Sequence, residues 1–345
     1  MVNQFGFIMS RRVLAISVMI LSLSLLVAMA DAHIPVVPND GTTIATATEI
    51  IEPWKSWFYY SALEPDVPHY YSFEATAGER IRFMLNVPIP EGDRGFSPNM
   101  VLMGPGVTDQ GTPPGYLEIP VGVGVMVLEA DTLEAEYEGF TPLSQYTTVN
   151  LNMSAPATGT YYIAIYEDGA GGRYALVTGY VEAYSVFEWI IVPSMAMTII
   201  MWSGQNIWFI LLPMLLPLMV GIIYLAGLHR DLFTKVKLAS LVGTMGGLLF
   251  LGSSMSFFLQ MTLALLQAPY NWTVILSIVF ATIPLILGGA VLRTVSREDW
   301  MNQRTKKIVM IAVGLVALFT WTGLYMGPLL VIVAGLIPST RTDPS

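Results

Sequence analysis

Tyr71-Ser-Phe-Glu-Ala75-Thr-Ala-Gly78-Glu-Arg80-Ile-Arg-Phe-Met-Leu-Asn-Val87 is the stretch that decides how the first half of this chain folds. Tyr71, Phe73 and Ala75 alternate with polar neighbours. Beyond Ala77-Gly78, Ile81, Phe83, Leu85 and Val87 fall on one face, with Arg80, Arg82, Met84 and Asn86 on the other. A period of two places every second side chain on the same side of a strand, and the Ala-Gly pair marks the turn between strands. The same alternation recurs at Tyr161, Ile163 and Ile165 after the Pro156 and Gly159 turn signals, and Gly169 to Gly172 precede a further run at Tyr174. Short alternating runs without a helical period predict an all-β sandwich over residues 33–182, with about eight or nine strands. The chain has no cysteine, so this domain must hold together by its core alone; its size is sufficient for that.

Charge divides the 345-residue chain at the same boundary. Residues 33–182 carry 19 Asp/Glu against 5 Lys/Arg, a net of −14, whereas residues 183–345 carry 5 acids against 9 bases, a net of +4. The overall charge of −9 is therefore a sum over two unlike halves. The acidic half excludes a nucleic-acid binder, because phosphate requires clustered Lys and Arg. The apolar half excludes a cytosolic enzyme.

Four runs in the second half are long enough to cross a bilayer: about 207–228, 238–266, 272–292 and 308–337, where about 20 apolar residues suffice. The sequence thus predicts an extracytoplasmic β-sandwich followed by an α-helical four-span transmembrane bundle over 206–337. Arg230, Lys235 and Lys237 follow the first run, and Arg293, Arg297, Arg304, Lys306 and Lys307 follow the third. Both basic loops belong in the cytoplasm by the positive-inside rule, which puts residues 33–182 and the tail 338–345 outside a plasma membrane that the chain crosses several times. The N-terminus agrees: Arg11-Arg12, an apolar Val13–Met29 and Ala30-Asp31-Ala32 read as a signal peptide over 1–32, with His33 as the first mature residue. Residues 183–205, with Trp189, Trp202 and Pro193, read as an interfacial or re-entrant segment, since a fifth span would reverse both basic loops. Within the spans the polar residues are neutral, chiefly Gln260, Thr262 and the Ser253-Ser254-x-Ser256 group, and are expected to bond helix to helix. Gly243-x-x-x-Gly247 on the same run permits close helix approach.

Four pieces of the sandwich recur in order: His69-Tyr-Tyr-Ser-Phe-Glu-Ala-Thr-Ala-Gly78-Glu-Arg-Ile81, Leu102-Met-Gly-Pro105, Ala157-Thr-Gly159-Thr-Tyr-Tyr-Ile-Ala-Ile165 and Gly172-Arg-Tyr174-Ala-Leu176. Over about 65–180 this order resembles the pre-peptidase C-terminal (PPC) type of domain. The resemblance implies a jelly-roll-like sandwich appended to other machinery and brings no catalytic residues with it. The chain departs from the pattern in an insertion over about 106–150, rich in Gly, Pro and acids, and in its fusion to a membrane bundle.

Catalytic constellations are missing from the sequence: there is no cysteine nucleophile, no Gly-x-Ser-x-Gly elbow and no His-Glu-x-x-His pair. The expectation is a protein that is not an enzyme, a membrane-anchored extracytoplasmic module that binds another membrane or envelope protein, a glycan or a surface layer, with lipid around its helices and no nucleic acid. Trp54, Trp57, Tyr59 and Tyr60 read as a binding face or as core. The acids Glu129, Asp131, Glu134, Glu136 and Glu138 read as a solvated surface, since their spacing fits no Ca²⁺ loop. No cofactor is required on this reading. The alternative is copper handling or transport: an N-terminal His33 chelates Cu(II) through its amine and ring, His69 supplies a second imidazole, and Met195, Met197 and Met201 offer thioethers.

Overall fold

The computed structural model describes residues 34–39, 41–131, 134–169, 171–227 and 238–338. The signal-peptide segment, His33 and the basic stretch at 230–237 lie outside them.

The first half forms two sheets. Eleven strands are present among the described residues, more than the alternation suggested, because short edge strands of two to five residues leave little periodic signal. They are β1 (Ile34–Val36), β2 (Thr48–Glu49), β3 (Trp57–Leu63), β4 (His69–Ala75), β5 (Arg80–Pro88), β6 (Asn99–Gly104), β7 (Gly124–Leu128), β8 (Ala135–Glu138), β9 (Leu143–Ser154), β10 (Gly159–Tyr166) and β11 (Gly172–Thr178). One sheet runs β1-β3-β11-β5-β9-β8 and the other β2-β4-β10-β6-β7. Between them lies the core that the alternation foretold. Phe83, Leu85, Ile163, Leu176 and Tyr161 are fully buried, with Tyr71, Phe73 and Ile81 nearly so. Phe73 packs against Phe83 at 4.9 Å and stacks on Tyr161 at 5.5 Å, arrangements that add to the burial of area alone. Tyr59 belongs to this core, while Trp54, Trp57 and Tyr60 are half-buried. These four aromatics do not make an exposed binding face.

The two outer faces are covered differently. On the five-stranded sheet, Tyr70, Val101, Met103 and Val127 are roofed by the chain's own insertion, through Leu117 and the Tyr70 hydroxyl, which accepts from the Glu118 N–H at 2.7 Å. On the six-stranded sheet, Phe58, Ala175 and Val177 lie under a helix, α1 (Val186–Trp202). Ser185 and Glu188 close a reciprocal capping box at its start. Glu188 also meets Lys55 at 2.9 Å, and at the other end Trp202 packs edge-on against Phe58 at 5.2 Å. Helix α1 therefore lies flat on the sheet.

Three further helices, α2 (Ile207–Gly227), α3 (Leu238–Leu265) and α4 (Val274–Val295), contain stretches long and apolar enough to cross a membrane. The fourth apolar run departs from the expectation. It forms two helices, α5 (Arg304–Phe319) and α6 (Met326–Leu336), packed antiparallel. The reversal sits at Gly323, in the left-handed region at φ 74°, flanked by Trp321 and Leu324 at φ 52° and 53°. Pro328 in the first turn of α6 suits a new helix start, where its missing N–H is no loss. Length alone does not force the reversal, since α3 runs unbroken for 28 residues; the left-handed turn at Trp321–Leu324 does. Residue 338 consequently leaves the bundle beside Lys307, whose ammonium donates to the Ile337 carbonyl at 2.6 Å. The expected single span over 308–337, with the tail at the opposite end, is corrected.

The bundle has two unlike ends. Arg293, Arg297, Arg304, Lys306 and Lys307 gather at one, around a buried Trp300 that donates to Ser240 at 2.8 Å. The sandwich sits on the other. Helix α3 runs through the middle, and its glycines explain how: a Cβ on Gly246 or Gly252 would collide with Val331 or with the Met214 carbonyl. The Gly243-x-x-x-Gly247 pair likewise packs within the chain, against Val295 and Leu292.

Candidate functional site

The feature that joins both halves is the contact between the six-stranded sheet and the bundle. Its centre is β8 and the turn after it, in the insertion that departs from the PPC pattern. The Ser277 hydroxyl on α4 donates to the Gly139 carbonyl at 2.6 Å, so the Tyr137 hydroxyl donates to Ser277, at 2.5 Å. Burial, partly offset by that bond, pushes the Tyr137 phenol up to about 12 and keeps it a donor at neutral pH. Asn271 donates to the Tyr137 carbonyl at 2.8 Å, and Ser144 donates to Gln267 at 2.7 Å. Gly139 has no room for a side chain, since a Cβ would collide with the Thr273 carbonyl.

Next to these bonds lies an aromatic cluster. Phe140 meets Phe280 and Trp321 edge-on, each at 5.4 Å, and Trp321 packs on Trp189 at 4.4 Å. Trp321 also donates its indole N–H to the Trp189 carbonyl at 2.8 Å. The left-handed turn of the α5–α6 hairpin is thereby held against α1 and against the sandwich. Gly323 donates its N–H to Ser253 at 2.8 Å, which satisfies a backbone group in an apolar setting. Gln260 pairs with Gln205 through both amides, at 2.7 and 2.9 Å. Ser253 and Gln260 thus bond beyond their own helix, to connecting turns rather than to a neighbouring helix as expected, whereas Thr262 bonds back to Phe258 on its own helix. A small apolar cavity of about 100 Å³ lies beneath, lined by Val192, Met197, Met214, Phe257 and Trp321 among others.

Of the residues put forward for copper, His69 is not brought together with Met195, Met197 and Met201. His33 lies outside the described residues. His69 is buried between the sheets, its Nδ1 2.8 Å from the Tyr174 hydroxyl, which in turn bonds Tyr71. Met195, Met197 and Met201 are on α1, which packs through Ile199 and Trp202 on the outer face of the six-stranded sheet, so that sheet separates them from His69. Among the described residues no group of three His, Cys, Asp or Glu is placed to hold a metal ion. Of the acidic residues, Glu138 uses both carboxylate oxygens on the N–H groups of Phe140 and Thr141. It shapes the docking turn.

Sequence reasoning missed Tyr137, Gly139, Asn271 and Ser277 because each pair is more than 130 residues apart and no local pattern marks them.

No family model and no curated protein matches the chain. Among solved structures, the periplasmic lysozyme inhibitor PliG of Aeromonas hydrophila is 14% identical with a TM-score of 0.22, covering 43% of this chain and 95% of its own. PliG of Salmonella Typhimurium is 16% identical with a TM-score of 0.22, covering 38% and 94%. The pre-peptidase C-terminal domain of a Bacillus anthracis collagenase is 16% identical with a TM-score of 0.20, covering 38% and 91%. The likeness is a distant one between β-sandwiches.

Proposed function

We propose that this chain is a non-catalytic, membrane-anchored interaction protein, with its sandwich outside the cytoplasm and its basic bundle end inside. The observation that carries this reading is the docked sheet. Hydrogen bonds donated by Tyr137 and Ser144, the one that the Gly139 carbonyl accepts from Ser277, and the Phe140–Trp321 packing fasten the sandwich to one end of the helices. A ligand held by the sandwich is then presented at a set height and orientation over the membrane. Sidedness follows from charge, because Arg293 to Lys307 gather at the end away from the sandwich, where the positive-inside rule places the cytoplasm. On this topology α2, α3 and α4 each cross once, the α5–α6 hairpin enters from the cytoplasm and returns to it, and α1 lies at the outer interface. Its partners are surrounding lipid and another membrane or envelope protein.

Because the chain has no cysteine, single replacements report topology cleanly. A membrane-impermeant maleimide added to intact cells is expected to label Glu64→Cys in the sandwich and to miss Asn302→Cys at the basic end. The reverse pattern overturns the reading.

A further inference from the structure

Helix α1 covers the β1, β3 and β11 side of the six-stranded sheet, and the bundle docks at its β8 end. Along β5, β9 and β8 the outer face borders a cleft of about 700 Å³, closed on the far side by the α3–α4 connection at Pro269–Thr273. Tyr146 points toward the core, so its neighbours Gln145 and Thr147 point into this cleft, beside Asn86 and Arg82 of β5. The lining is built but not self-satisfied. The Thr147 hydroxyl lies 3.0 Å from Glu136 and 3.2 Å from Asn86. Gln145, only 7% exposed, has an amide carbonyl with no hydrogen-bond partner. Arg82 forms no ion pair among the described residues, and its guanidinium reaches only the Met84 sulfur at 3.9 Å. A buried carbonyl without a partner is costly and uncommon, and at the wall of a cleft it marks a place for a ligand donor that the side chain turns to meet.

We infer that this cleft binds a neutral saccharide. A cationic ligand meets the unpaired Arg82. An anionic one meets Glu134 and Glu136 and brings no donor to Gln145. A hydroxyl both donates and accepts, so a disaccharide lying along β5 donates to Gln145 and Glu136 at one end while accepting from Arg82 and Asn150 at the other. Tyr270, 70% exposed at the mouth, offers an aromatic face to the apolar side of such a ring. A peptide strand fits less well, because it is recognised mainly by an open sheet edge. Here the ligand meets the face of a sheet, and the one edge strand beside the cleft, β8, already gives its Tyr137 carbonyl to Asn271. The inference rests on the reading of the sandwich as an extracytoplasmic binding module and names its ligand class.

The test uses the full chain in phosphatidylcholine nanodiscs free of glycoside detergent. Maltose, cellobiose and N,N′-diacetylchitobiose are offered in turn and followed by saturation-transfer NMR and calorimetry. At least one disaccharide is expected to bind, and Gln145→Leu and Arg82→Met should each weaken it about tenfold or more. Gln145→Leu removes the unpaired carbonyl, so the ligand-free thermal midpoint of that variant should hold or rise; the exposed Asn150→Ala gives a second variant that spares the core. Binding of none of the three, binding unchanged in these variants, or tighter binding of tetraglycine than of any disaccharide overturns the proposal. Failure here with Glu64→Cys labelled from outside removes only the sugar, whereas labelling of Glu64→Cys only after the membrane is breached removes the function reading itself.

Discussion

The sandwich and the bundle are both rich in apolar residues, yet they are specified by opposite means. In the sandwich, large side chains at every second position fill the space between two sheets, so a core residue is recognised by its size and its phase. In the bundle, apolar residues occur all around each helix, and what distinguishes a packed position is a residue too small to hold the helices apart. The first region is broken by removing volume and the second by adding it.

Phe83→Ala is the sharpest form of the first half of that contrast. Phe83 is fully buried against Phe73 of the opposite sheet, and its loss should destabilise the chain by about 3–5 kcal/mol, read as a fall in the thermal midpoint of the detergent-solubilised protein. Gly252→Leu tests the other half. Its side chain has nowhere to go but into the Met214 carbonyl on α2, and an overpacked contact of this kind costs about 1–3 kcal/mol. The same change at Gly289, which has open space around its α-carbon, should be close to neutral. A similar loss at both positions would mean that small residues do not set the packing.

The junction is where the two regimes meet. Ser277→Ala leaves the Tyr137 hydroxyl and the Gly139 carbonyl without their common partner, at a cost of about 1–3 kcal/mol. Hydrogen exchange should accelerate at 137–141 before it changes in β5 or β10. Uniform acceleration would show that sandwich and bundle unfold as one unit.

The smallest effect concerns Glu188. Burial raises its pKa, but the Ser185 N–H and hydroxyl and the Lys55 ammonium outweigh that and hold it below the ordinary value of 4.5. A carboxylate with a depressed folded pKa stabilises the fold above its unfolded value, and that contribution disappears as pH falls through the folded one. Tryptophan emission from Trp189 and Trp202 should therefore report loosening of α1 only below about pH 4.5. Ser185→Ala, which removes the cap, should cost about 1 kcal/mol and shrink this pH response.

Much of the architecture was legible in the residues themselves. A two-residue period at Tyr71–Val87 and at Tyr161–Ile165 indicated two sheets and their shared core, because strand geometry ties sequence parity to a face. Long apolar runs indicated helices able to cross a membrane, because length and composition are local quantities. Other features depended on partners distant in the chain. The fold of 308–337 into a hairpin turns on Gly323 meeting Ser253 and on Lys307 reaching Ile337. The separation of His69 from the α1 methionines turns on which side of one sheet each element packs. The docking of Tyr137 on Ser277, and the cleft left open beside it, turn on how an insertion without periodicity comes to lie against a helix. Sequence by itself determined which surfaces must be buried; tertiary structure alone decided against what, because apolar burial is nondirectional and only hydrogen bonds and close contacts choose among partners.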